Sequence, residues 1–379
     1  MRDGLRQGRC GISPISSFDS ARLTVKVAAE VDDFVPEAHF DRRKLLMLDR
    51  VSQFALLAAR EALSGIDRGK IAPARCGVVM GASLGQTTID QTYHALYAEN
   101  ATRLPPLTIP RTMPNAPASH IAMEFGFQGP CFATASACAS SAHAIGLAAQ
   151  MVASGMLDLV VCGGSDASIC LGYLKAWDGL RVLSPDACRP FSRDRSGLVI
   201  GEGAGVLVLE AWDAARAREA PVHGEFLGFG MNADAGDLTA PSSQGAAAAM
   251  RAAVDDAGIS PGLVDYVNAH GTGTRLNDST ETRALHAVFG AHAAALAISS
   301  TKSLHGHCLN AAGGIEAVAT VLALRDGFVP PTFGYREPDP DCDLDCVPNV
   351  AREMNIGIAL SNSFAFGGLN AVLAFGRTP

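Results

Sequence analysis

No stretch of this 379-residue chain is apolar for long enough to span a membrane, because Gly, Ser or a charge breaks every run. The opening MRDGLRQGRCGISP holds no apolar run either, which excludes a signal peptide there. No basic block stands out and the net charge is -8, which disfavours nucleic acid as a partner. The 10 cysteines show no paired framework and suit a reducing compartment. Zinc-finger spacing is also missing. Cys342 and Cys346 in DCDLDC have no second pair nearby, and His305, His307 and Cys308 fit no zinc pattern. The expectation is a cytoplasmic protein with no metal site.

A hydrophobic content of 48% supports a large core, enough for two fused layers or halves. Residues 45–63 repeat apolar positions at helical spacing, and CGVVM at 76–80 reads as a buried strand. Helices are predicted over 86–98 and 139–155, and Pro105, Pro106, Pro110, Pro114 and Pro117 mark a long connection between them. Strands are predicted at 159–162 and toward the end of 199–210. The second part repeats the style, with helices at 245–257, 281–289 and 314–324 and strands at 264–268, 296–300, 356–360 and 371–375. Buried strands alternating with helices argue for an α/β layered fold. The two parts share a plan without a clear sequence repeat. The divide is placed near 225, giving halves 1–225 and 226–379.

Three short segments carry the chemistry: Cys138 in SASACASS, His270 in NAHGTGT, and Lys302 with His307 in STKSLHGH. Cys138 lies where a strand runs into a helix, and a helix N-terminus favours a thiolate. Its small neighbours leave room for an acyl chain. His270 ends a predicted strand and faces Gly271 and Gly273, with Thr272 and Thr274 as donors to a substrate arm. A cysteine hydrolase needs one histidine as base, so a second histidine and a lysine suggest carbon chemistry beyond hydrolysis.

Together these segments resemble the β-ketoacyl-acyl-carrier-protein synthases, most closely the elongating type II branch. The resemblance runs from Gly11 to the C-terminus. It includes Arg189-Pro190-Phe191 with Asp194-Arg195, Gly201 to Gly205, Asn277-Asp278 with Glu281, Ala311 to Glu316, and Asn362 to Gly368. It implies a thiolase fold of two similar halves in a five-layer αβαβα arrangement, and a homodimer or a heterodimer with a related subunit. Cys138 would be acylated from an acyl-carrier-protein thioester. His270 and His307 would hold the thioester carbonyl of malonyl-carrier protein during decarboxylation, and the enolate would attack the acyl group in a Claisen condensation. The backbone N–H groups of Cys138 and Phe366 would stabilise the acyl oxyanion, Phe366 would gate access, and Lys302 with Glu316 would orient the site. The implied partner carries a phosphopantetheine arm, and the reaction needs no cofactor.

The chain departs from the family at several points. The apolar strand and glycine-rich turn that precede the segment matching 6–12 are missing, and the resemblance makes that strand central in the first half. Ser136 replaces a usual threonine, Leu369 another, and Ala365 replaces the first glycine of the gating loop, which implies altered gating. Leu84 and Met113 match acyl-pocket positions, with burial in the core as the other reading. Arg42, Arg43 and Lys44, together with Arg181, match the carrier-docking patch, although Leu46 and Met47 stand where further basic residues are common. A solvated charge run is the other reading of 42–44. Two further readings stay open: an enzyme of the same fold acting on coenzyme A thioesters, and a non-catalytic chain-length subunit.

Overall fold

The computed structural model describes residues 1–67, 69 and 71–378. Its frame is two β-sheets. The first holds β1 (Cys76–Ala82), β2 (Cys131–Thr134), β3 (Leu159–Asp166) and β4 (Gly203–Glu210) in the order β2-β1-β3-β4. The second holds β5 (Glu225–Ala233), β6 (Tyr266–Asn268), β7 (Ala297–Ser299), β8 (Ile358–Ala365) and β9 (Leu369–Gly376) in the order β5-β9-β8-β6-β7. Every residue of β1 and β3 is buried, so the first sheet must be covered on both faces.

The longer helices supply the cover: α1 (Arg50–Ala62), α2 (Gln86–Tyr97), α3 (Ala116–Phe125), α4 (Ser140–Ala153), α5 (Leu171–Gly179), α6 (Ser243–Asp256), α7 (Arg275–Phe289) and α8 (Ala312–Asp326). α4 and α8 lie between the two sheets. Their sequences, SSAHAIGLAAQMVA and AGGIEAVATVLALRD, are apolar around much of the helix, as a central layer requires. α1 and α3 cover the outer face of the first sheet, and α6, next to α7, covers that of the second. The result is five layers, αβαβα. Close approach of β4 to α8 depends on glycine: a Cβ on Gly205 would lie 2.3 Å from the Gly314 backbone.

Several elements differ from the sequence-based expectation. The helix predicted over 45–63 begins at Arg50, because Asp49 caps it by accepting from the Val51 N–H at 3.1 Å. The proline-rich connection contains a short helix, Thr108–Thr112, and then α3, whose Pro117 sits in the first turn where no N–H is needed. α7 starts at Arg275 rather than 281, capped by Thr274. α5 and β5 have no counterpart in the prediction. Residues 361–370 are mostly strand, with only Phe366, Gly367 and Gly368 in the turn.

The two sheets share one pairing plan. β1 pairs parallel with β2 and β3, and β4 is antiparallel to β3. Likewise β6 pairs parallel with β7 and β8, and β9 is antiparallel to β8. The second sheet then adds β5, antiparallel on the outer side of β9. The first sheet has no such strand among the described residues. By this internal comparison the place that β5 holds in the second sheet corresponds in the first to the edge beyond β4, not to a central position as expected. A groove of about 480 Å³ opens near the start of β4, lined in part by Leu5, Phe54, Leu57, Ala204 and Ile315.

Candidate active site

Cys138 sits in a 3-10 turn, Ala137–Ala139, between β2 and α4. Ala137 adopts φ +48°, which makes the turn sharp. Ser140 holds the turn: its hydroxyl reaches the Ala137 carbonyl at 2.7 Å and accepts from the Ser136 N–H at 2.9 Å. Asn310 contacts the same hydroxyl at 2.9 Å and is anchored by the Asp166 carboxylate, which accepts its side-chain N–H at 3.0 Å. Asp166 and Asn310 were not singled out from sequence; they come from distant segments and carry no local motif.

The thiol is 9% exposed. Burial pushes its pKa up to about 11, and the opposing pull of Lys302 is smaller. Burial thus opposes the thiolate that the helix N-terminus and Lys302 favour. Cys342 and Cys346 are buried in the core under α7, where burial likewise raises their thiols to about 12 and 11.

His270 follows β6 and is 2% exposed. Its own N–H and that of Gly271 donate to the two oxygens of Glu281 at 2.9 and 2.8 Å, so α7 fixes the loop. Asp278, one turn earlier, accepts from the Phe191 N–H at 2.9 Å and pairs with Arg195 at 3.6 Å. That joins the Arg189–Arg195 segment to the histidine loop. Lys302 follows β7, is fully buried, and forms an ion pair with Glu316 of α8. Burial raises the Glu316 carboxyl to about 7, with Lys302 opposing. Glu316 Oε2 has no hydrogen-bond partner among the described residues.

The structure brings His270, Lys302 and His307 together. The two imidazoles lie 5.5 Å apart at 84°. Lys302 Nζ lies 3.4 Å from His270 Nδ1, and the Leu309 N–H donates to His307 Nδ1 at 3.1 Å. An ammonium and an amide only donate, so both Nδ1 atoms are acceptors and both rings carry their proton on Nε2. Burial and then the Lys302 charge hold both imidazoles neutral, well below the usual histidine range. Two neutral rings with Nε2–H groups can share one oxyanion.

Other predicted residues are placed differently. The Thr272 and Thr274 hydroxyls bond each other at 2.8 Å, and Thr274 also caps α7. One hydroxyl hydrogen is left for a substrate, not two. Phe366 is 37% exposed at the β8–β9 tip. Among the described residues, neither its N–H nor that of Cys138 donates in a loop or turn bond. Ala365 pairs with Leu369 as the last rung of the hairpin. The left-handed angles fall on Gly367 (φ +85°) and Gly368 (φ +66°), so the methyl at 365 does not restrict the turn, contrary to expectation.

Leu84 and Met113 are not core residues: they are 46% and 37% exposed. Their segments adjoin, since the Gly85 N–H donates to the Thr112 carbonyl at 3.4 Å. Arg42 and Arg43 are exposed and form no ion pair among the described residues. Lys44 is engaged by Glu124, which also binds Arg60, so it is less available for docking. Arg181 is exposed just beyond α5 with φ +56°. No group of three or more His, Cys, Asp or Glu among the described residues is arranged to hold a metal ion. No helix is long and apolar enough to cross a membrane, again among the described residues.

Comparison with known proteins shows the family. Residues 1–215 match the β-ketoacyl synthase N-terminal domain, and residues 223–336 match its C-terminal domain. Nodulation protein E of a Rhizobium species is 48% identical over 98% of this chain and 93% of its own length. A 3-oxoacyl-[acyl-carrier-protein] synthase 2 from Synechocystis is 40% identical over 98% of this chain and 92% of its own. The solved structure of the ishigamide ketosynthase/chain length factor superposes with a TM-score of 0.95 at 37% identity, covering 100% of this chain and 94% of that one. The chain therefore belongs to the β-ketoacyl synthase family and has its thiolase fold.

Proposed function

We propose a division of labour among these residues for the family's decarboxylative Claisen condensation, in fatty-acid or polyketide-type chain elongation. Cys138 takes an acyl group from carrier protein. Its sulfur attacks the thioester, its proton passes to the departing phosphopantetheine thiolate, and no net charge is left. Malonyl-carrier protein then enters. The Nε2–H groups of His270 and His307 hold its thioester oxygen while the carboxylate leaves as CO2, and the enolate forms on that oxygen. The enolate carbon attacks the acyl-Cys138 carbonyl, whose oxygen is held by the N–H groups of Cys138 and Phe366. The Cys138 thiolate leaves and takes up one proton, and 3-oxoacyl-carrier protein is released.

The observation that carries this reading is that each ring has a donor at its Nδ1. Lys302 Nζ and the Leu309 N–H occupy both Nδ1 atoms, leaving both Nε2–H groups for one oxygen. Burial, and then Lys302, keeps His270 neutral, with Glu316 balancing the lysine's charge. The enzyme is an acyltransferase.

The partners belong to the same proposal. Arg42, Arg43 and Arg181 remain free to meet an acidic carrier protein, which the name of the Synechocystis relative supports. Leu84 and Met113 would bound the acyl chain at an interface with a second subunit, a copy of this chain or a related one. The ketosynthase/chain length factor pairing of the structural relative supports the latter. A cytoplasmic location fits ten free thiols. The two halves are taken to meet near 225.

The test uses purified protein with acyl- and malonyl-carrier protein. The expected product is 3-oxoacyl-carrier protein with release of CO2. His307→Ala should slow CO2 release by about 10²–10³-fold and still allow acylation of Cys138. Undiminished CO2 release by that variant would remove the double-donor account.

A further inference from the structure

The Phe366 ring does not stand free at the β8–β9 tip. It stacks on the indole of Trp177, with ring centroids 6.0 Å apart and planes 22° from parallel. Trp177 is the last aromatic of α5, and that helix is firmly seated. Leu174 is 3% exposed in a cluster with Leu23, Ile169, Leu198, Ile200 and Leu309. Asp178, next to the indole, accepts from the Thr24 N–H at 3.0 Å and from Lys175 Nζ at 2.9 Å. Tyr173 meets the indole edge-on at 6.4 Å. The β8 and β9 strands, whose tip carries Phe366, pack against the Ala137–Ala139 turn that holds Cys138, so the Phe366–Trp177 pair lies toward the nucleophile. Leu309, in the same cluster, supplies the N–H that sets the His307 tautomer.

The other side of Phe366 is built to move. Its turn has an ordinary strand residue, Ala365, before it and two left-handed glycines after it. Among the described residues, two backbone bonds tie the glycines to a neighbouring loop, Gly367 N–H to the Leu238 carbonyl at 2.7 Å and Asp234 N–H to the Gly368 carbonyl at 2.8 Å. Leu238 is itself 72% exposed. A rigid aromatic face therefore meets a ring on a hinged turn.

We infer that Trp177 is a positioning residue of this enzyme: its indole holds the Phe366 ring in place, and the ring must leave it before an acyl chain reaches Cys138. This rests on the reading of Cys138 as the acyl acceptor. An aromatic pair of this geometry biases the closed position by about two- to tenfold. Its loss should speed acylation by bulky donors by the same factor and leave small donors unaffected. Discrimination between acyl groups is thus set partly by a residue that touches Phe366 and need not touch the chain.

The chain has only two tryptophans, so Trp177 can report on itself once Trp212 is replaced by Phe. In that background, Phe366→Leu should change the Trp177 emission with no substrate present. Acylation of Cys138 by a long-chain donor, followed in parallel by intact mass, should change it in the same direction. Trp177→Leu should raise the rate of long-chain acylation two- to tenfold at an unchanged short-chain rate, and Trp177→Phe should restore it. If Phe366→Leu leaves the emission unchanged, the stack does not exist in solution. If Cys138 carries an acyl mass with no emission change, the latch is wrong and the condensation reading stands. If no acyl mass forms on protein whose emission does respond to Phe366→Leu, the condensation reading fails and the gating role fails with it.

Discussion

Lys302 is fully buried, and among the described residues its ion-pair partner is the equally buried Glu316. Removing one member of such a pair costs about 3–5 kcal/mol, while replacing both by apolar groups is close to neutral. Lys302→Met should therefore destabilise the fold by about 3 kcal/mol at pH 8. The effect should shrink toward pH 5. Without the lysine, the folded carboxyl pKa lies still further above the unfolded value, so stability is retained at low pH and lost as pH rises. Lys302→Met with Glu316→Leu should recover most of the stability and none of the activity, because His270 Nδ1 has lost its donor. Urea unfolding beside a condensation assay checks both, and an active double variant would refute the role given to Lys302. At this scale the sequence was informative about identity and poor about state. Cys138, His270 and Lys302 stood out because each follows a strand-like run among small residues, and His307 because it lies in a glycine turn before a helix. The buried thiol's raised pKa, the partners at the two Nδ1 atoms and the Glu124 contact of Lys44 were not, since they depend on packing and on groups from remote segments.

The β8–β9 hairpin shows the same contrast between elements. Its strands were partly legible from the apolar runs at 356–360 and 371–375. The intervening polar residues hid that pairing continues to Ala365 and Leu369. Because the positive φ angles fall after Phe366, Ala365→Gly should cost under about 1 kcal/mol and leave chain-length preference unchanged. Gly367→Ala would set its methyl in ordinary contact with Leu369, 3.8 Å away, but at a φ of +85°, and should cost about 1–2 kcal/mol and slow acylation. Thermal unfolding with acylation rates on three donor lengths separates the two. A strong change in preference from Ala365→Gly alone would restore the gating role first read for that alanine. α3 was missed because prolines were read as breaks, whereas Pro117 lies in a first turn that tolerates it.

Across the whole molecule the plan of two matched halves was visible in the sequence, and the strand order was not. Pairing of distant runs such as β8 beside β6 has no local signature. The buried histidines give the folded molecule a pH signature. His305 is lowered by burial to about 4 in the fold and is near 6.5 when unfolded. Below pH 6.5 the unfolded chain binds the extra proton, so this contribution to stability is complete above pH 6.5 and declines as pH falls. His305→Asn should therefore gain about 2 kcal/mol on the wild type between pH 7 and pH 5. A constant difference across that range would show that His305 is not held neutral. The central claim, that Cys138 is the acyl acceptor of a ketosynthase, is tested most directly by intact-protein mass spectrometry after incubation with acyl-carrier protein. The account predicts one acyl mass on the wild type and none on Cys138→Ala. A folded wild type that gains no acyl mass, or a Cys138→Ala protein that gains one, would contradict it.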